Sequence, residues 1–248
     1  MPVISVPQAF NEEDLYVDLR AVIGRALFLK CEDFNFAGPI KLKAAAEMVA
    51  AAEREGALTR RSILVESSSG HLGVALSIIA AGKGYHFLCV TDARCNLATR
   101  LMMEALGSQV HMVSGTESNG GFPGARLDYV RDLCATDDRC VWLSQYTNPS
   151  NWRAHHRTTA PAIARFFPDL DVLFVGGAPG RRMIPGLGMS VRPPLLDDAH
   201  VDDVLAAKGP TPSAPATAWR LAASCSADRR ARWSAVRRAG WNGKDTRA

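Results

Sequence analysis

The chain has 248 residues, 47% apolar and 22% charged, the composition of an ordinary globular protein with room for one large domain or two small ones. No stretch is apolar for the length a bilayer crossing needs, and the opening MPVISVPQAFNEEDLY lacks a basic-then-apolar leader, so no membrane role and a cytoplasmic location are expected. The net charge of +4 is uneven, since residues 208–248 hold nine Lys or Arg against two Asp, but no nucleic-acid motif or aromatic–basic face accompanies them and no nucleic-acid partner is expected.

In chain order, residues 15–30 predict a short element and then a strand ending near Lys30-Cys31-Glu32. Gly38-Pro39 breaks the chain. Ile40 to about Glu55, rich in Ala, Glu and Lys with apolar residues at helical spacing, predicts a helix ended by Gly56. Ser62–Glu66 is a compact buried strand. The turn Ser67-Ser68-Ser69-Gly70-His71 follows, and Val74–Ala81 begins an apolar helix stopped by Gly82 and Gly84. Tyr85–Thr91 is the next strand, Asn96–Leu106 a helix closed by Gly107, and Gln109–Ser114 a strand.

Gly120–Gly124 is expected as a loop before a helix around Ala125–Cys134. A strand starts at Val141–Ser144, the polar run QYTNPSNWRAHHR reads as a loop, Thr158–Phe167 as a helix and Asp171–Val175 as a last strand. Strands alternating with helices of this length imply a parallel sheet covered on both faces, with the ligand at the carboxyl ends of its strands. Beyond Gly176 the pattern deteriorates, apart from a short helix at Asp197–Ala207. The six cysteines show no CxxC spacing and read as buried free thiols.

Two stretches carry chemistry. Lys41 stands at a helix start directly after an Asn-x-x-Gly loop, and the serine turn offers hydroxyls and backbone N–H groups at another helix start. An amine facing an anion-binding helix terminus is what an aldehyde cofactor with a phosphate, and a carboxylate-bearing substrate, require. An isolated lysine is ordinarily a surface residue, and Lys43 is a rival. A serine before a helix is ordinarily a cap. Gln145, Asn148 and Asn151 supply amides on a third loop, and serve equally well as turn formers around Pro149.

Together these residues resemble the cysteine synthase/cystathionine β-synthase family of fold-type II pyridoxal-phosphate enzymes, from about Leu15 to Val175. LFLKCEDFNFAGPIK is similar to the family segment that carries the cofactor lysine, which falls on Lys41. VESSSGHLGVALSIIAAGKGY is similar to its substrate loop and first long helix, and SQYTNPSNWRAHHRTTAPAI to its glutamine-bearing loop, matching Gln145, His155, Thr158 and Thr159. The resemblance implies an α/β fold of parallel sheets flanked by helices, pyridoxal 5′-phosphate as cofactor, small amino-acid substrates and pairing as a homodimer. FNFAGPIKLKAA, TDARCNLATR and RRMIPGLGMSVRPPLLDD most resemble the branch that makes 2,3-diaminopropionate for siderophores and peptide antibiotics. That branch joins O-phospho-L-serine to L-glutamate, giving N-(1-amino-1-carboxy-2-ethyl)-glutamate. Lys41 would hold the cofactor and remove the Cα proton, and Ser68, Ser69, Gly70 and Gln145 would hold the substrate carboxylate.

The sequence departs from the family at four places. Pro39 replaces a serine, and His71 replaces the asparagine that contacts the cofactor ring oxygen. After Val175 the family has a phosphate-binding loop, a helix and a strand; here Gly176-Gly177-Ala178-Pro179-Gly180 runs straight into RRMIPGLG, as though roughly 30 residues were deleted. Gly176, Gly177 and Gly180 are the residues left to cradle the phosphate. Finally, Ser213–Arg237, shifted by one base in GC-rich codons, encodes something close to the family's C-terminal helix and serine turn, so a frameshifted tail is expected. The resulting division is a core over 1–175, containing a smaller subdomain at roughly 45–150, a remnant over 176–207 and a basic tail over 208–248. A catalytically impaired remnant, and a cysteine synthase using O-acetylserine or O-phosphoserine, are the alternatives.

Overall fold

A computed structural model describes residues 14–114 and 121–174 of the chain. These fall into two units, one spanning Glu32–Ile163 and one made of Asp14–Cys31 with residues 164–174.

The smaller unit opens with β1 (Tyr16–Asp18), α1 (Arg20–Ile23) and β2 (Phe28–Lys30), and β1 and β2 pair antiparallel. Aromatic rings close it: Tyr16 lies 5.1 Å from both Phe166 and Phe167, and Phe28 lies 4.7 Å from Phe167. Such tilted and edge-on pairs are favoured by the ring quadrupole.

The larger unit holds a four-stranded parallel sheet in the order β5 (Gln109–Met112), β4 (His86–Thr91), β3 (Ile63–Ser67), β6 (Cys140–Trp142). Alternation along the strands sends side chains to two cores. Leu64, Phe87 and Cys89 join α2 (Lys41–Arg54), α3 (His71–Lys83) and Met103 of α4 (Leu97–Ala105). Val65 and Val90 join Val130 of α5 (Gly121–Thr136). The expected architecture, a parallel sheet flanked by helices, is therefore present. α3 is apolar on every side because it is buried on every side, from Leu72 through Ala80. Leu76 and Ile79, both 0% exposed, contribute about 2 kcal/mol each by leaving water. Gly84 ends the helix at a φ of 74°, a backbone shape that glycine adopts without steric cost.

Several expected bounds are corrected. α3 starts at His71, and runs through Gly82 without breaking. The glycine-rich stretch before Ala125 is shorter as a loop than expected, because α5 already begins at Gly121. Pro123 is tolerated there since the N–H groups of a first helical turn have no partner to lose. The polar run after Gln145 contains a helix, α6 (Pro149–Arg157), before α7 (Thr159–Phe166). Asn148 caps α6, its Oδ1 accepting the Ser150 N–H at 2.9 Å, and Pro149 presets the first helical φ. Residues 171–174 form no strand: Leu173 and Phe174 are exposed and no neighbouring strand receives them among the described residues. Of the described cysteines, all are free thiols, but only Cys89 is buried and the other four are half-buried. The helix expected at Asp197–Ala207 lies outside the described residues.

Candidate active site

Parallel strands bring the turns after β3, β4 and β6 to one edge of the sheet. α2 is oriented toward that edge by its far end. Glu53, in its last turn, takes the Lys83 ammonium at 2.7 Å and the Tyr85 hydroxyl at 3.0 Å, both at the end of α3. α2 and α3 therefore run side by side in the same direction, and their first residues, Lys41 and His71, share the edge where the strands end.

Lys41 is the first residue of α2, half-buried, and burial holds its amine below the usual lysine range. It makes no hydrogen bond or ion pair with the described residues. The loop that presents it is tied by Asn35, whose Nδ2 donates to the carbonyls of Glu32 (2.9 Å) and Pro39 (3.1 Å) while its Oδ1 accepts the Ala37 N–H at 2.9 Å. Lys43 is spent elsewhere. Its ammonium lies 2.9 Å from a Glu32 carboxylate oxygen and donates to Thr159 Oγ1 at 3.3 Å, with side chains only 9% and 13% exposed in the ion pair. Thr159 Oγ1 also donates to Glu32 at 3.2 Å and meets His155 Nδ1 at 3.1 Å. One lysine anchors the loop, and the other is left with an uncommitted amine.

In the serine turn, Ser68 is buried and its Oγ accepts the N–H groups of Gly70 (3.2 Å) and Gly73 (3.0 Å). It stitches the turn to α3 and retains one hydroxyl hydrogen to donate. Ser69 and Gly70 are half-buried, and the Ser69 hydroxyl has no partner among the described residues. His71 is exposed at the first position of α3. Gly73 is forced by packing, because a Cβ there would lie 2.6 Å from Met103 Sδ and 3.0 Å from Cys89 Sγ.

The third loop leaves β6 through Ser144, whose φ of 53° is the left-handed region that residues other than glycine seldom adopt. Its carbonyl accepts the N–H groups of Thr147 (3.0 Å) and Asn148 (2.9 Å). Gln145 follows, half-buried, with Nε2 donating to the Ser67 carbonyl at 2.7 Å. Asn148 Nδ2 donates to Leu143 O and Asn151 Nδ2 to Gln145 O, both at 2.8 Å, so these two amides shape the loop.

Two groups at this edge, and the role of a third, escape the sequence reading. Glu66 is fully buried at the end of β3, and burial pushes its carboxyl up to about 7 against the pull of the Ser67 and Gln145 N–H groups, the Trp142 indole and the Arg126 charge. A carboxylate closing an apolar strand was the visible signal. Asp92, 0% exposed after β4, holds Arg94 at 3.0 Å and the 2% exposed Arg126 of α5 at 3.3 Å. Thr159 joins Lys43 to Glu32 across 116 residues of chain, a link that no local pattern reveals.

Gly176, Gly177 and Gly180, the glycines expected to cradle a phosphate, lie outside the described residues, as do the deletion expected after Val175 and the shifted tail. Among the described residues no group of His, Cys, Asp or Glu is placed to hold a metal, and no helix is long and apolar enough to cross a membrane.

Residues 16–193 match the family described as pyridoxal-phosphate dependent enzymes. Over 225 residues the chain is 30% identical to a Ralstonia nicotianae protein named N-(2-amino-2-carboxyethyl)-L-glutamate synthase, covering 74% of this chain and 67% of the relative. Among solved structures it is similar to O-ureido-L-serine synthase, at 28% identity and a TM-score of 0.59, over 67% of this chain and 52% of that one. It also shares the fold of an O-acetylserine dependent cystathionine β-synthase from Helicobacter pylori, with a TM-score of 0.70 at 18% identity, over 82% of this chain and 78% of that one.

Proposed function

The chain belongs to the family of pyridoxal-phosphate dependent enzymes, and from that premise we propose that it replaces the β-substituent of O-phospho-L-serine with the amino group of L-glutamate. The product is the compound for which the Ralstonia relative is named. The observation that carries the reading is the contrast between two lysines two positions apart: Lys43 is fixed by Glu32 and Thr159, while Lys41 has a desolvated amine and no partner among the described residues.

The residues present fit the cofactor. An aldehyde is captured by a neutral amine, and burial shifts Lys41 toward that form. The first turn of α3 leaves N–H groups at the edge of the sheet, where an anionic group is stabilised. Bound there, pyridoxal phosphate supplies the electron sink that lets an amino acid lose its Cα proton and its β-substituent. Lys41 Nζ would hold the cofactor and would be the base for the Cα proton. Ser68, with one hydroxyl hydrogen left to give, Ser69 and the N–H of Gly70's turn hold the substrate carboxylate together with the second amide hydrogen of Gln145. Asn35 keeps the lysine loop closed, and His71, first residue of α3, would contact the cofactor ring. Small amino acids are the substrates, with a second copy of the chain as partner.

The test is direct. The chain is mixed with pyridoxal phosphate, O-phospho-L-serine and L-glutamate, and phosphate release and the condensed product are followed by mass spectrometry. Turnover lost in Lys41→Ala is the expected result. Cysteine from sulfide and O-acetylserine, made in preference, would move the reading to a cysteine synthase; no cofactor absorbance at all would make the chain a remnant.

A further inference from the structure

Where β3 and β6 part, the sheet's own hydrogen bonds stop short. The ladder's last rung is Leu143 N–H to Val65 O at 3.3 Å, and the next two, Ser67 N–H to Leu143 O and Gln145 N–H to Ser67 O, do not form. The left-handed turn at Ser144 diverts the backbone there. Side chains replace both rungs. Gln145 Nε2 takes the Ser67 carbonyl at 2.7 Å, and the orphaned Gln145 N–H donates to Glu66 Oε2 at 3.1 Å. The other oxygen, Glu66 Oε1, accepts the Ser67 N–H at 2.9 Å and Trp142 Nε1 at 3.4 Å.

One carboxylate therefore gathers donors from the serine turn, from β6 and from the glutamine loop. All of these donors are N–H groups, so the ionised form satisfies them and an added proton would displace one of them. Glu66 is 0% exposed, and a charge so placed is costly. An apolar residue of the same size would avoid that cost, but would leave the Gln145 N–H and the Trp142 indole without acceptors.

We infer that Glu66 is a positioning residue whose carboxylate clasps the Gln145 loop to the serine turn, and so sets how tightly the two grip the carboxylate of an amino-acid substrate. The second half of this inference rests on the function proposed above; the first half does not. Glu66 touches neither substrate nor cofactor. It acts through the Gln145 and Ser67 backbones, which carry the amide and hydroxyls on either side of the bound acid.

The experiment uses the full chain at about pH 8.5, above the titration of Glu66. Glu66→Gln keeps the volume, but its amide turns one donor toward another. Hydrogen exchange of residues 143–148, measured without cofactor, is expected to speed up about tenfold as the clasp opens. With pyridoxal phosphate bound, the Kd for O-phospho-L-serine, read from the change in cofactor absorbance, is expected to rise about tenfold. The Kd for pyridoxal phosphate itself should move less than about twofold. Unchanged exchange overturns the clasp, and equal losses of both ligands reduce Glu66 to a general support of the fold. If the parent chain takes no cofactor, the proposed function fails while the exchange result still decides the clasp. Should Glu66→Gln not fold, Glu66→Asp is decisive, since it keeps the charge one methylene too short to reach both loops: faster exchange supports the clasp and parental exchange overturns it.

Discussion

Glu53 and Lys83, paired at 2.7 Å, sit in the last turns of two helices that are joined only through β3 and its turns. Because the pair lies at the trailing end of both helices, their leading residues, Lys41 and His71, stand at the same edge of the sheet. The position of the candidate amine is thus set about 20 Å away from it, by the length of a 14-residue helix.

The two lysines should part company on substitution. Lys43→Met takes the Lys43 ammonium from the largely buried Glu32 carboxylate and is expected to cost about 3 kcal/mol in urea denaturation. Lys41→Met removes an amine that burial already disfavours, so stability should stay within about 1 kcal/mol of the parent or rise. Cofactor absorbance should vanish in that variant. Equal stability losses in both would contradict the distinction.

Glu66 gives a stability slope of definite sign. Its carboxyl is raised from 4.5 to about 7 in the fold, so its contribution is fully present below about 4.5 and is lost as pH rises through about 7. The thiols that face it do not titrate in this window: Cys89 is pushed up to about 12 and Cys134 is also raised, while the Arg126 guanidinium lies beside Asp92. Against Glu66→Gln, the parent should lose up to about 3 kcal/mol across the window, read from urea midpoints. A parallel pair of pH profiles would show that Glu66 is ionised throughout.

Gly73→Ala is expected to destabilise by about 1–3 kcal/mol, since the new methyl meets Met103 and Cys89 in a filled core. Combining it with Met103→Ala should recover part of the loss, because the second change opens space where the first needs it. Strict additivity in thermal melts would locate the strain elsewhere.

Asn35→Ala removes three hydrogen bonds that close the loop before Lys41. Weakening of pyridoxal phosphate binding by about tenfold is expected, at about 1 kcal/mol or more of lost preorganisation. Equilibrium titration followed by absorbance measures it, and parental affinity would mean that the loop is held by something other than Asn35.

Much of this arrangement was legible in the chain. Residues 41–54 show a helix because Ala, Glu and Lys repeat with a buried stripe, and 63–67 show a strand because an isolated apolar run needs two covered faces. α6 stayed hidden because its residues are almost all polar and only Ser150 and Ala154 are buried; the Asn148-Pro149 start was its one local sign. Residues 171–174 form no strand for the opposite reason: apolar residues with no neighbour to pair with among the described residues do not form a ladder. Lys41 and the serine turn could be found because their chemistry is local. The partners of Glu66 and Thr159 could not, because each lies about 80 or more residues away in the chain.

The turn at Ser144 carries one more implication. A saturation library at this single codon would sort its members by backbone shape and not by polarity. Glycine and asparagine, which enter the left-handed region cheaply, would survive, whereas valine and isoleucine would be purged even though the position is not a core site.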